Sequence, residues 1–189
     1  MRYGVKWPTY ARQWDRMREN LSRREEFQHD ARRIMAHKDR YQAVEAKTGV
    51  PWPLIGVLHL READLDFNTY LGNGDPLNRS TRHVPRGRGP FDTWEEGAID
   101  ALKLDGLTSV KDWRLEKMLY YGEIYNGAGY DMRGLPSPYL WGGTNVQRPG
   151  KFVADGRFNP RVWDSQPGVA PILSEIAKLD PNVQYVRED

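Results

Sequence analysis

Glu62 stands where a carboxylate is least expected, directly after the apolar run Leu54, Ile55, Val57, Leu58 and Leu60 and ahead of a long polar stretch. If that run is a buried helix, its last turn holds Glu62 at the edge of an apolar region. Desolvation there raises a carboxyl pKa and keeps the group protonated near neutral pH. A protonated carboxyl facing a polar groove is the general acid that cleavage of a glycosidic bond requires. The competing reading is a surface glutamate paired with Arg61 or another cation, an arrangement of small energetic consequence.

Other titratable residues admit two readings each. His59, three positions before Glu62, either shares its helix face and bonds to it or is a satisfied packing residue. Glu123 is either a second carboxylate of the same cleft or a buried partner for Arg61 or His59. His29 and His37 lie eight apart on a basic helix with no third ligand in view, so no metal or other cofactor is expected.

The elements that must hold these groups follow from periodicity. Tyr10, Trp14, Met17 and Leu21 form one helical stripe and Phe27, Ala31, Ile34 and Tyr41 another, out of phase with it. Two helices between Thr9 and Lys47, or one bent near residues 22–26, satisfy both. Gly49 ends the second and Pro51 opens a buried helix from Pro51 to Phe67. A stretch rich in Gly, Asn, Asp, Pro, Ser and Thr, Gly72 to Pro90, reads as a functional loop or small β-hairpin lining a cleft. Helices return at Thr93–Leu104, with Thr93 and Glu96 as a capping box, at Trp113–Tyr125, and at Val169–Leu179. The stretch between Gly134 and Pro167 has no clear period. The fold expected is mainly α (α+β), a single domain over residues 1–189 in which a basic helical segment, 1–47, packs on a body, 48–189.

Five ordered motifs carry a resemblance: Leu58-His59-Leu60-Arg61-Glu62, Asn73-Gly74-Asp75-Pro76-Leu77, His83-Val84-Pro85-Arg86-Gly87-Arg88-Gly89-Pro90, Glu123 to Tyr130, and Pro138-Tyr139-Leu140-Trp141. Together, over residues 48 to about 160, they resemble phage endolysins and bacterial lysozyme-family proteins, and more distantly goose-type lysozymes and lytic transglycosylases. The resemblance implies a lysozyme-like fold, Glu62 as catalytic acid and a sugar-bordering turn at Tyr125 and Asn126, where Gly127 departs from the usual alanine. Asp75 and Thr81 follow Glu62 in an order similar to the Glu, Asp and Thr set of other phage lysozymes. Asp75 would then polarise a water and Thr81 position it, an inverting arrangement that needs carboxyl groups roughly 6.5 to 9.5 Å apart. The alternative for Asp75 is an Asx-turn residue. His83, Tyr130, Tyr139 and Trp141 are candidate substrate contacts, the aromatics as stacking faces for sugar rings. Arg86 and Arg88 are candidates to meet carboxylates of the wall polymer.

The implied activity is a muramidase acting on the bond between N-acetylmuramic acid and N-acetylglucosamine. Its rivals are a lytic transglycosylase using Glu62 alone, a non-catalytic wall or virion protein, and a basic nucleic-acid binder. The expected partner is peptidoglycan, with no nucleic acid and no membrane insertion, and the expected state is a monomer. The longest apolar stretch, Val50 to Leu60, falls short of the roughly 18 to 20 residues a spanning helix needs. The opening residues lack the apolar core of a secretory signal, so the chain reads as cytoplasmic, reaching the wall after release by a holin-like partner that the resemblance implies.

Composition closes other routes. With no cysteine among 189 residues there is no disulfide, thiol nucleophile or thiolate metal site. Residues 1–47 hold 12 Lys or Arg against 7 Asp or Glu, and the remainder 16 against 19, so the basic surplus sits at the N-terminal end. It suits attraction to anionic wall or outer-membrane polymers, or simple solvation.

Overall fold

In the computed structural model, which describes residues 2–154 and 156–188, the chain is mainly helical with one small antiparallel sheet. Helices α1 (Tyr3–Arg16), α2 (Arg24–Met35) and α3 (Lys38–Thr48) precede α4 (Trp52–Ala63) and α5 (Trp94–Leu104). Then come α6 (Leu115–Asn126), α7 (Pro138–Trp141), the strands β1 (Lys151–Ala154) and β2 (Arg157–Asn159), and α8 (Val169–Leu179). The chain divides into two compact units, Met1–Ala31 with Arg114–Asp189, and Arg32–Trp113. Neither boundary falls at residue 47, where the sequence suggested a division. The reason is pairing: α1 packs on α6, whereas α3 packs on α4 and α5, so the basic N-terminal segment is shared between the units.

In the Arg32–Trp113 unit, α3 stops at Gly49 in a left-handed turn, and Pro51 caps α4, as the sequence indicates. All ten residues from Trp52 to Arg61 are buried. The helix ends four residues earlier than its apolar pattern suggests, because Asp64 and Leu65 turn left-handed, with φ of 48° and 64°. Their amides bond to the carbonyls of Leu60 and His59, a Schellman-type stop built without glycine. Beyond it, Tyr41, His59, Phe67 and Trp94 form an aromatic cluster in which His59 lies 4.4 Å from Trp94, centroid to centroid. Arg40 covers Phe67 at 3.8 Å and forms a two-pronged bond to Glu95. In α5, Thr93 accepts from the Glu96 amide, while the Glu96 side chain reaches the amide of Asp92.

His59 is fully buried. Tyr41 donates its hydroxyl to Nδ1 (3.0 Å) and Nε2 donates to the Asp66 carbonyl (3.2 Å), so the neutral ring is satisfied at both nitrogens. Burial, and secondarily Arg40, pushes its pKa down to about 4.

In the other unit, Tyr10 of α1 is buried against α6, and Tyr3 meets Tyr120 edge-on. The stretch that lacked a period holds α7 and the β1–β2 hairpin, with Phe152 opposite Phe158. Only backbone fits where Gly142 meets Gly168: the Gly168 amide bonds the Gly142 carbonyl at 2.9 Å, and a Cβ on Gly142 would sit 2.4 Å from the Gln166 carbonyl oxygen. The C-terminal stretch is tied to α6, with Arg187 on Glu116 (2.5 Å) and the Val186 carbonyl accepting from Leu115.

Two outcomes follow. Because His59 binds its proton more weakly folded than unfolded, its stabilisation is complete above pH ~6.5 and declines as pH falls toward about 4, by on the order of 3 kcal/mol. Thermal melts of His59→Gln are expected to lose most of that acid limb. Gly142→Ala should lower stability by roughly 1–3 kcal/mol in urea titration, since backbone atoms cannot yield to a Cβ as a side chain can.

Candidate active site

Glu62 occupies the final turn of α4, and its side chain is exposed. This corrects the desolvated acid expected from the apolar run: Arg61 is the last buried residue, and the next step around the helix turns Glu62 out to solvent. The backbone beneath it is nonetheless rigid, with ten buried residues before it and two left-handed non-glycine residues just after. Leu65 in that conformation carries steric strain, and its side chain is buried. Arg33 braces Asp64 through both its carboxylate (2.8 Å) and its carbonyl (2.9 Å). Strain of this kind, held by surrounding contacts, is typical of positions where geometry is conserved for use.

The polar loop of residues 72–90 contains no strand pairing beyond an isolated bridge between Thr69 and Pro76. Asp75 organises it. Its side chain is only 10% exposed, and one carboxylate oxygen accepts the amides of Arg82 (2.7 Å) and His83 (2.9 Å). The other oxygen accepts from Nδ1 of His83 at 2.7 Å. These bonds, the His83 amide foremost, hold the Asp75 carboxyl below the usual range. Thr81 is equally committed: its hydroxyl donates to the Pro85 carbonyl (2.6 Å) and accepts the Arg88 amide (3.0 Å). Both residues close the loop, an anchoring that occupies the groups on which water-activating roles were expected. The Asn73 side chain accepts the Asp75 amide, the Asx turn weighed as the alternative.

His83 is the outward product of this anchoring. A carboxylate can only accept, so Asp75 fixes the proton on Nδ1 and leaves Nε2 facing solvent on a ring whose side chain is 78% exposed. An imidazole so oriented can take up a proton or bind a substrate hydroxyl. Arg82 and Arg86 are also exposed on the loop. Arg88 is not available for wall carboxylates, since its guanidinium grips both oxygens of Asp100.

The remaining candidates belong to the other unit. Tyr125 is half-buried and Asn126 exposed at the end of α6, where Gly127 breaks the helix at φ 92°. Tyr130, Tyr139 and Trp141 are buried, which corrects their reading as open stacking platforms. Tyr130 packs edge-on against Phe152, and its hydroxyl accepts the Phe152 amide (3.2 Å). Tyr139 and Trp141 lie in α7 rather than in a loop.

Glu123 is buried too, but its partner is the Tyr10 hydroxyl at 2.5 Å, not Arg61 or His59. Burial pushes its carboxyl above the usual range, although the Tyr10 bond pulls the other way. Beside it, Lys6 and Asp131 pair at 2.5 Å, and the buried Ser137 hydroxyl has no hydrogen-bond partner among the described residues. The group lines a cavity of about 140 Å³. Lys6 and Ser137 were not singled out from the sequence, and Tyr10 only as a member of a helical stripe, because nothing in their spacing signals that α1 will lie on α6.

Among the described residues no three His, Asp or Glu side chains gather as a metal site, and no helix is long and apolar enough to cross a membrane. Comparison with known proteins gives no match to a family model, a curated protein or a solved structure. The class that the fold itself defines is a mainly α protein of two units.

The loop anchor is testable directly. Since Asp75 has a lowered pKa, its contribution is present above pH ~4 and is lost as acid protonates it. At neutral pH, Asp75→Asn should speed amide hydrogen exchange at Arg82 and His83 by about tenfold or more.

Proposed function

We propose that the chain cleaves the glycan strands of peptidoglycan between N-acetylmuramic acid and N-acetylglucosamine, with Glu62 as proton donor. The observation that carries this reading is the position of Glu62, an exposed carboxylate on a helix turn whose backbone is clamped on both sides. Rigid support of a solvent-facing acid is what a glycosidase must build, since the acid has to meet a bridging oxygen within hydrogen-bond reach. The water exclusion that sequence reasoning assigned to the protein core would come from the sugar ring laid over the carboxyl.

Engagement of Asp75 and Thr81 favours the single-carboxylate route over hydrolysis. Glu62 protonates the oxygen that leaves with N-acetylglucosamine. The resulting Glu62 carboxylate then takes the proton of the muramyl 6-hydroxyl as that oxygen closes on C1, giving a 1,6-anhydro sugar with no water consumed. Hydrolysis remains the second reading, with His83 as the residue able to activate water through its outward Nε2.

Purified sacculi digested with the protein test both points. Glu62→Gln is expected to lower release of soluble fragments by about 100-fold or more while leaving the circular dichroism spectrum unchanged. Wild-type release in that variant would overturn the assignment. Mass spectrometry then separates the routes, because anhydro products are lighter than reducing products by one water.

A further inference from the structure

One face of the unit formed by residues 1–31 and 114–189 carries three depressions that share walls. The largest, about 540 Å³, is bordered by Arg18, Asn145, Arg148 and Trp163. Asn145 and Arg148 also border a second of about 360 Å³, which adds Arg12 and Arg16. Thr9, Gln13 and Pro136 are common to the second and to the 140 Å³ cavity that holds Glu123 and Ser137. The three adjoin through these shared residues and are taken together as one trough, whose two larger parts each fall within the size range of ligand sites.

Its chemistry is uneven in an informative way. Arg12 bonds only the Thr9 hydroxyl, Arg148 bonds only backbone carbonyls, and Arg16 and Arg18 have no carboxylate partner among the described residues. Of the acids along the wall, Asp164 pairs with Lys151 (3.1 Å) and Glu19 pairs through one oxygen with Lys178 (2.9 Å), its other oxygen being buried without a hydrogen bond among the described residues. Four arginines without a carboxylate partner among the described residues thus border the trough, and guanidinium suits planar carboxylate or phosphate oxygens. At one end Trp163 is 57% exposed, an apolar ring face with polar surroundings. At the other end lie hydroxyl and carboxyl groups, with the Ser137 hydroxyl unpartnered among the described residues.

We propose that this trough binds an anionic linear glycan, a sugar ring stacking on Trp163 and its carboxylate or phosphate groups meeting Arg12, Arg16, Arg18 and Arg148. A duplex nucleic acid fits less well, because its strands present a phosphate every ~3.4 Å while its bases are stacked inside, which leaves no ring free to lie on Trp163. A glycan offers neutral hydroxyl-bearing rings between its charges, and those suit both the tryptophan face and the Ser137 end. The inference does not require turnover at Glu62.

The test is titration calorimetry on the full chain with four probes: a hyaluronan hexasaccharide, a glucosylated poly(ribitol phosphate) teichoic acid, chitohexaose and a duplex DNA of matched charge. Binding of either anionic glycan is expected, and the tighter of the two identifies the anion. Trp163→Ala should weaken it roughly 2- to 10-fold. The pair Arg18→Glu and Arg148→Glu should weaken it about tenfold or more and flatten its salt dependence. Equal affinity for chitohexaose would overturn the role of charge, equal affinity for DNA the choice of glycan, and unchanged binding in both variants the site itself. Binding that persists in Glu62→Gln without sacculus digestion by wild type sinks the cleavage reading alone, whereas digestion with no trough binding sinks only this one.

Discussion

A helix buried along ten consecutive residues cannot end anywhere it likes, and α4 shows the consequence. Its last carbonyls must be satisfied and its chain must leave the apolar region at once. The chain does this through Asp64 and Leu65 in left-handed conformations that cost roughly 1–2 kcal/mol per residue when glycine is not used. Burial of Leu65 and the grip of Arg33 on Asp64 hold the turn in place. The exposed Glu62 therefore sits between a buried helix and a braced left-handed turn, a combination that neither exposure nor bracing alone would signal.

The carboxylates sort by what surrounds them. Glu62 is solvent-facing, Asp75 is consumed by two amides and an imidazole, and Glu123 is buried against a tyrosine hydroxyl. Asp75 stays ionised because its neighbours donate to it, whereas Glu123 is pushed toward the neutral form because burial outweighs its single strong donor. A buried charge with three donors is a structural rivet, and the loop of residues 72–90 owes its order to it. The chemistry available on that loop passes from the aspartate to His83, whose outer nitrogen is what the rivet presents to solvent.

In the other unit the decisive pairing is α1 on α6. It places Tyr10 on Glu123 and brings Arg12 and Arg16 of α1 to the same depression as Asn145 and Arg148, so part of the basic surplus of the N-terminal end borders a trough rather than a diffuse solvated face. The arginines of the N-terminal segment differ accordingly. Arg23 is spent on Glu26 and the Ser165 carbonyl, while Arg16 and Arg18 remain uncompensated among the described residues.

Local pattern was enough to locate α4, α5, α6 and α8 to within a few residues, to stop α3 at Gly49 and to name Thr93 as a cap, because periodicity and capping act over three or four residues. The same short reach explains why the break expected near residues 22–26 falls at 17–23, and why the break at 36–37 and the hairpin at 151–159 were missed. It identified chemically notable side chains, Glu62, Asp75, Thr81 and His83, yet assigned several of them the wrong surroundings. Whether a carboxylate is wet, riveted or buried depends on donors brought from elsewhere in the chain, in one case 113 residues away. Residue types along the chain thus determined which helices form and which groups can carry a proton; only tertiary packing decided which of those groups face water, since solvation is set by neighbours in space.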